Sequence, residues 1–340
     1  MSSPSSARAR RLLLTVDAPS LLHRHHHARA YTRMTDRNGR PAWALHGMLR
    51  QILDAIDRFA PDAVIFGLDD RGGSVRRDRY PDYKAGRAEK DPDLVDQLSR
   101  AGAMLDALGL ATVTPPGLEA DDVNASAAAW AGRHGWDCTI VTSDRDSFAH
   151  ISDHTRVLRL IDGGINGSPL ITPERLVTMY GVAPEDYLQF AAVRGDASDN
   201  LPGIAGIGEK TAAALLTQVA PMEAIWADIE HDEGRGVVAA FDSWCEETGA
   251  RRMGATVLKR LSAPGARERY DFNLEMMAGH LDVDLGITPD VPGTPGLLPL
   301  DIDRVRRVVG HLGIQETTDL AVRVLSGAPA SADPGLPVPH

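Results

Sequence analysis

Cysteine is scarce: Cys138 and Cys245 are the only two among 340 residues. Two cysteines make neither a zinc set nor a disulfide framework, so a reducing interior is the default. Long apolar runs are also missing. The run near the start, Leu12–Val16, is short and ends at Asp17, which excludes a signal peptide core and suits a buried strand. No segment is long enough to span a membrane. Net positive charge is absent as well: 36 Lys and Arg against 47 Asp and Glu leave −11. That excludes a nonspecific polycation but not a locally basic nucleic-acid surface. No internal repeat is visible. What remains is an ordinary globular composition, 43% apolar and 24% charged, in a chain long enough for one large or two ordinary domains.

Short apolar runs alternate with helical patterns through the first half. Leu12–Val16, Ala63–Leu68 and Thr139–Thr142 read as buried parallel strands, with Ala111–Thr114 and Val157–Ile161 as weaker candidates. Helical stretches fall near 42–59, 93–108 and 119–133. This βαβ rhythm predicts an α/β fold with a parallel sheet covered by helices. After about residue 173 the strand signals fade. Pro173, Pro184 and Pro221 each open a helix-like segment, the position proline tolerates best.

Acids stand where the strands end. Asp17, Asp69 and Asp144 each follow a strand signal, and ligand sites in open parallel sheets lie at the carboxyl ends of strands. Glu119, Asp121 and Asp122 follow in GLEADDVNAS, Asp146 in TSDRD, and Asp196 and Asp199 in RGDASDN, nine acids in all. Capping and dipole pairing alone would account for Glu119 to Asp122 and for Asp146. Glu119 and Asp122 share a helix face while Asp121 points elsewhere, so all three serve one site only if it straddles the helix N-terminus. Converging carboxylates repel unless cations lie between them. Oxygen ligands without a cysteine or histidine set favour magnesium or manganese over zinc. Two such ions about 4 Å apart drive in-line phosphodiester hydrolysis.

Two further stretches point to nucleic acid. Residues 71–90, RGGSVRRDRYPDYKAGRAEK, carry seven Lys or Arg against three acids, with Tyr80 and Tyr83 interleaved. Cations neutralise backbone phosphates and aromatics stack on unpaired bases, although such a run also suits a solvated loop. In RGDASDNLPGIAGIGEKT, Gly203, Gly206 and Gly208 precede a helix expected from about Glu209, with Lys210 just inside it. Backbone N–H groups of such a turn bind phosphate without reading bases.

RYPDYKAGR, GLEADDVNAS, TSDRD and RGDASDNLPGIAGIGEKTA, in this order and spacing, resemble the bacterial and phage 5′ nuclease family. Its members are flap endonucleases and 5′–3′ exonucleases, often the N-terminal domain of bacterial DNA polymerase I. The likeness runs from about Leu12 to Leu325. It implies a PIN-like parallel-sheet nuclease domain over residues 11–175, then a helical, SAM-like DNA-binding domain with a helix–three-turn–helix over 176–325. Flexible tails are expected at 1–10 and 326–340. No polymerase follows, so a stand-alone member is implied.

Matched motif by motif, the resemblance places Asp17, Asp69, Glu119 and Asp121 at a first metal, and Asp144, Asp146 and Asp199 at a second. Asp122 and Asp196 line the site or bind through water. Lys84 and Arg87 steady the scissile phosphate, Tyr83 lies near the unpaired nucleotide, and Arg24, Arg76 and Arg77 contact DNA. The resemblance also implies a potassium ion held by carbonyls of the Leu201–Gly208 turn and bridging to the duplex. The chain departs from the pattern at Ala18, where the family has glycine. It departs again at His23–His27, where the family carries aromatics; a polar helix face is the simplest reading of HRHHH. The expected activity is a magnesium-dependent, structure-specific 5′ nuclease of the replication and repair class, monomeric, acting in the cytoplasm at the nucleoid. Its substrates would be 5′ flaps, nicks and duplex ends, with RNA primers as further candidates. A PIN-type ribonuclease is the alternative enzyme, and residues 194–211 argue against it. A non-catalytic DNA-binding paralogue is the other, and Asp144, Asp146 and Asp199 argue against that.

Overall fold

The computed structural model describes residues 10–327. Residues 1–9 and 328–340, most of both expected tails, lie outside the described residues. In chain order, β1 (Leu12–Asp17) is followed by α1 (Ala18–Arg29), α2 (Trp43–Phe59), β2 (Ala63–Gly67), α3 (Val75–Arg79), α4 (Pro92–Leu108), β3 (Ala111–Val113), α5 (Ala120–His134), β4 (Asp137–Thr142) and β5 (Thr155–Arg159). Then come α6 (Gly164–Gly167), β6 (Leu170–Ile171), α7 (Pro173–Tyr180), α8 (Tyr187–Arg194), β7 (Gly195–Asp196) and β8 (Leu201–Pro202). The rest is helical: α9 (Glu209–Ala214), α10 (Met222–Asp232), α11 (Arg235–Glu247), α12 (Gly254–Leu261), α13 (Ala266–Met277), α14 (Ile302–Gly310) and α15 (Gln315–Ser326).

The main sheet has the order β3-β2-β1-β4-β5-β6, parallel except for β6. The strands are nearly continuous apolar runs because helices cover both faces. β1 sits between β2 and β4, so the chain winds away from it in both directions. The crevice at the carboxyl ends of β1 and β4 is therefore a topological switch point. Asp17 is the last residue of β1 and pairs in register with Gly67, the last of β2.

One apolar layer lies between the sheet and α1, α2 and α4. The other lies under α5 and continues without a break into the helical half, through Tyr187, Phe190, Leu215, Phe241 and Tyr270. The helical half is thus seated on the sheet by a shared core.

The last part of the chain departs from the expected division at residue 176. It returns to the first layer. Gly296 accepts from Val64 N–H at 2.9 Å and donates to Gly109 at 2.9 Å, and Leu298 N–H donates to Asp62 O at 3.0 Å. Val305 and Val309 of α14, then Ala321 and Leu325 of α15, are buried in the α1–α2–α4 layer. Arg304 closes the C-terminus of α4 by donating to the carbonyls of Asp106 and Ala107. Residues 296–326 therefore belong by packing to the sheet domain, because α14 and α15 bury their apolar faces against α2 and α4. Ser326, placed in the tail on sequence grounds, ends α15.

Candidate active site and metal centre

Local structure brings Asp17, Asp69, Glu119, Asp121 and Asp144 to the crevice, while Asp146, Asp196 and Asp199 lie behind its lining. Asp17 caps α1: its Oδ1 accepts Ser20 N–H at 2.9 Å, and Oδ2 accepts the Thr142 hydroxyl at 2.9 Å. Asp69 leaves β2 and accepts Ala120 N–H, at the start of α5, at 3.0 Å. Asp144 follows β4 and accepts Asp146 N–H at 3.1 Å. Asp196 lies on β7 and accepts both N–H and hydroxyl of Ser198 at 2.7 and 2.6 Å. A cleft of about 870 Å³ is lined by Asp17, Asp69, Glu119, Asp121 and Asp144 on one side and by His23, Arg24, His27, Lys84 and Arg87 on the other.

The electrostatics of this cleft are strained. Burial, then the charges of Asp69 and Asp144, push Asp17 up to about 7. Burial, then Asp144, Asp196 and Asp199, push Asp146 up to about 8. Asp121 is raised by burial and by Asp17 and Asp144, and its Oδ1 is buried with no hydrogen-bond partner. Asp199 is raised because burial outweighs Lys84 and Arg87. Asp196 goes the other way: burial favours its neutral form, but the Ser198 bonds, Arg194 and Arg145 together hold it low.

Among the described residues no three of these side chains are gathered about one point as a closed metal site requires. Five of them line the cleft: Asp17, Asp69, Glu119, Asp121 and Asp144. The donor set is all oxygen, and the unpartnered Asp121 oxygen is aimed at no protein donor. Both observations suit a hard divalent cation that keeps part of its water shell.

The cations of the basic segment lean into the same cleft. Lys84 Nζ lies 2.8 Å from Glu119 Oε1 and 3.7 Å from Asp199 Oδ2. Arg87 Nη2 lies 2.8 Å from Asp199 Oδ1. Burial works against the Glu119 carboxylate, but Lys84, Arg76 and the Tyr83 hydroxyl keep it ionised and its pKa low. A second cleft, also about 870 Å³, opens on the α4 side and shares Asp69, Lys84, Arg87 and Glu119 with the first. The stretch 84–90 runs between the two.

Several expected roles need correction. Asp122 does not line the cleft: it is fully buried and holds the Arg76 fork at 2.7 Å on both oxygens. Arg76 is accordingly no DNA contact. Its remaining donors go to Met276 O, Ala278 O and Glu119 Oε2. A buried charge needs such a partner, and Asp122 takes it. Tyr83 does not present its ring to a nucleotide. It is 4% exposed, and its hydroxyl donates to Glu119 at 2.9 Å and Asp199 at 3.0 Å. Arg77 is exposed and lines the second cleft. Arg24 lies at the rim of the first, 2.7 Å from the fully exposed Asp162 carboxylate.

The three turn glycines are not equivalent. Gly195 has φ +80, and a Cβ on it would lie 2.1 Å from Gly203 N; a Cβ on Gly203 would lie 2.2 Å from Arg194 O. This pair lets two backbones touch, so Gly203 is packed within the protein. Gly206 carries Arg260 against it and accepts from it. Gly208 and Lys210 are exposed, and Gly208 has open space around it. The histidine run is not one polar face either. His23 and His27 line the cleft, whereas His25 is buried on Gln51 and His26 against Trp43.

Sequence reasoning missed Thr142 and Ser198, which orient Asp17 and Asp196. Each lies within three residues of a selected acid, the one signal that marks them. It also missed the contacts that α13 makes with the basic segment, which no local pattern reveals.

The 5′-3′ exonuclease N-terminal resolvase-like domain matches residues 12–181, and the 5′-3′ exonuclease C-terminal SAM fold matches residues 182–259. DNA polymerase I of Mycobacterium bovis is 32% identical over 327 residues, which cover 96% of this chain and 33% of that protein. The thermostable DNA polymerase I of Thermus filiformis is 38% identical over 264 residues, 78% of this chain and 29% of that protein. The chain thus spans about a third of the length of these relatives. In fold it is similar to the T5 D15 protein co-crystallized with metal ions, with a TM-score of 0.58 at 17% identity over 93% of this chain and 98% of that one. The catalytic core of Rad2 in complex with DNA substrate gives a TM-score of 0.54 at 19% identity over 93% of both chains.

Proposed function

Because this chain belongs to the 5′–3′ exonuclease family, we propose that it is a divalent-cation-dependent, structure-specific 5′ nuclease that hydrolyses DNA phosphodiesters. The observation that carries this reading is the crevice itself. Acids of four segments meet there under Lys84 and Arg87, beside a turn whose Gly208 is open to solvent.

Asp17, Asp69, Glu119 and Asp121 are suited to one cation, and Asp144, Asp146 and Asp199 to a second, with Asp196 holding through water. Two magnesium or manganese ions there supply Lewis acidity and a lowered water pKa. The chain's own residues do the rest. Lys84 and Arg87 are held in the cleft by Glu119 and Asp199, where an entering phosphate competes for them and gains fixed positive charge. Tyr83 bridges Glu119 and Asp199 through its hydroxyl and so fixes their positions relative to each other. Thr142 and Ser20 fix the Asp17 carboxylate, so its oxygens do not search for a geometry. Backbone N–H groups from Gly206 to Lys210 grip the duplex, and a potassium ion on the carbonyls of this turn fits the same role. RNA primers as 5′ strands, a monomeric state and work at the nucleoid follow from this reading. No described helix is long and apolar enough to cross a membrane.

Asp69→Asn and Asp144→Asn test the site. Each is expected to abolish cleavage while leaving flap DNA binding in calcium within about twofold, since only a ligand oxygen is lost. Robust cleavage by either purified variant would move the metal centre elsewhere.

A further inference from the structure

One helix touches both the turn assigned to the duplex and the basic segment over the cleft. Asn273 of α13 is completely buried. Its Nδ2 donates to Ala192 O at 2.9 Å and to Pro202 O at 3.0 Å, which ties α13 to α8 and to β8, at the start of the 201–210 turn. One turn of helix later, α13 grips the basic segment. Arg76 Nε donates to Met276 O at 3.0 Å and Nη2 to Ala278 O at 3.1 Å. Glu275 pairs with Arg79 at 2.8 Å, and Phe272 packs edge-on against Tyr80 with centroids 5.3 Å apart. Met276, Tyr83 and Leu201 form a small buried apolar cluster of their own. Just past the helix, His280 N–H donates to Asp122 at 3.1 Å, and Asp122 in turn accepts Glu119 N–H at 3.0 Å.

We propose that α13 is a rigid link that transmits duplex engagement at residues 201–210 to the basic segment and to Glu119, with Asn273 and Arg76 as its positioning residues. The proposal rests on the reading of the turn as the duplex grip. A helix moves as a unit, and a packed interface has discrete arrangements rather than a continuum. Asn273 fixes α13 to the turn by two bonds whose loss would strand buried carbonyls. Arg76 fixes the other end by a fork that lysine does not reproduce. A shift of the turn is therefore carried to Tyr83, Lys84 and Glu119, where the chemistry is set. α13 itself lies beyond residue 259, where the family match ends, while its partners Arg76, Ala192 and Pro202 lie within the matched regions.

Amide hydrogen exchange on the whole chain in calcium tests it, with a DNA dumbbell as probe. That duplex has both ends closed by loops and offers no 5′ end to the cleft. In the parent, the dumbbell should slow exchange at 201–210 and also at 76–84, about fivefold or more, the usual scale of intersite coupling. In Asn273→Ala and in Arg76→Lys, residues 201–210 should still be slowed and residues 76–84 should not. Arg76→Lys should also lower the single-turnover cleavage rate of a flap while leaving dumbbell affinity unchanged, a split that general loosening would not give. Thermal melting confirms that each variant is folded, and Arg76→Lys carries the test where Asn273→Ala does not fold. If 76–84 is slowed equally in the variants, or is not slowed in the parent while 201–210 is, α13 is no link. If 201–210 is not slowed in the parent, the duplex-grip reading fails and the link falls with it.

Discussion

Asp17 and Asp146 bear the clearest mark of the crowded cleft, pushed up to about 7 and about 8 by burial and by neighbouring acids. Their folded values lie above the unfolded value of about 3.9. The folded state therefore binds more protons, and the stability this brings is full below pH 4 and lost as pH rises through 7 to 8. In a chelating buffer the melting temperature is expected to fall between pH 5 and pH 9. Magnesium or calcium should restore it, and restore more at pH 8 than at pH 5, because protons and cations compete for the same oxygens. Melting curves at matched ionic strength check this, and an equal cation effect at both pH values would contradict it. Lys84 makes a different contribution. A fixed cation beside a phosphate is worth about 3 kcal/mol in the transition state, roughly a hundredfold in rate. Lys84→Ala should lower the single-turnover cleavage rate by about that factor and change the flap dissociation constant far less. Equal losses in both would make Lys84 a binding residue.

At the scale of elements, the turn between β8 and α9 separates packing from function glycine by glycine. Gly203→Ala forces a Cβ onto Arg194 O at 2.2 Å, where backbone must move, so the melting temperature should drop by several degrees, as about 1–3 kcal/mol of overpacking demands. Gly208 has ordinary backbone angles and open space. Gly208→Val should melt like the parent and raise the duplex dissociation constant about tenfold, the loss of one charge-assisted bond. Melting and duplex titration on both variants distinguish the two roles. The same contrast shows what a sequence can tell. β1, β2 and β4 were legible because strands covered on both faces are apolar without interruption. Asp17, Asp69 and Asp144 were legible as acids at strand ends, and those strand ends meet in one crevice. Arg76 and Tyr83 were not, since a cation and an aromatic in a basic run look the same whether they meet phosphate or an inner carboxylate. For Arg76 the inner partners are Asp122 and the carbonyls of Met276 and Ala278, 200 and 202 residues away; for Tyr83 they are Glu119 and Asp199. α14 and α15 were misassigned for a related reason. Their pattern shows that they bury one face, but the partner of that face is α2 and α4, at the other end of the chain.

At the scale of the whole molecule, the proposed function joins a duplex-binding turn at residues 201–210 to an acid cleft lined in part by the basic segment, through Lys84, Arg87 and Lys90. That proposed arrangement calls for a substrate with both a duplex and a free 5′ strand. Single strands lack the first and closed duplexes lack the second. Single-turnover cleavage of a 5′ flap, a nicked duplex, a blunt duplex, a single strand and an RNA hairpin, each with and without magnesium and with product lengths mapped, tests the claim most directly. The expected result is magnesium-dependent cutting at or next to the junction of the flap, slower release from nicked and blunt 5′ ends, and no cutting in chelator. Cleavage of the single strand or of the RNA hairpin as fast as the flap, or cutting that survives chelation, would contradict it.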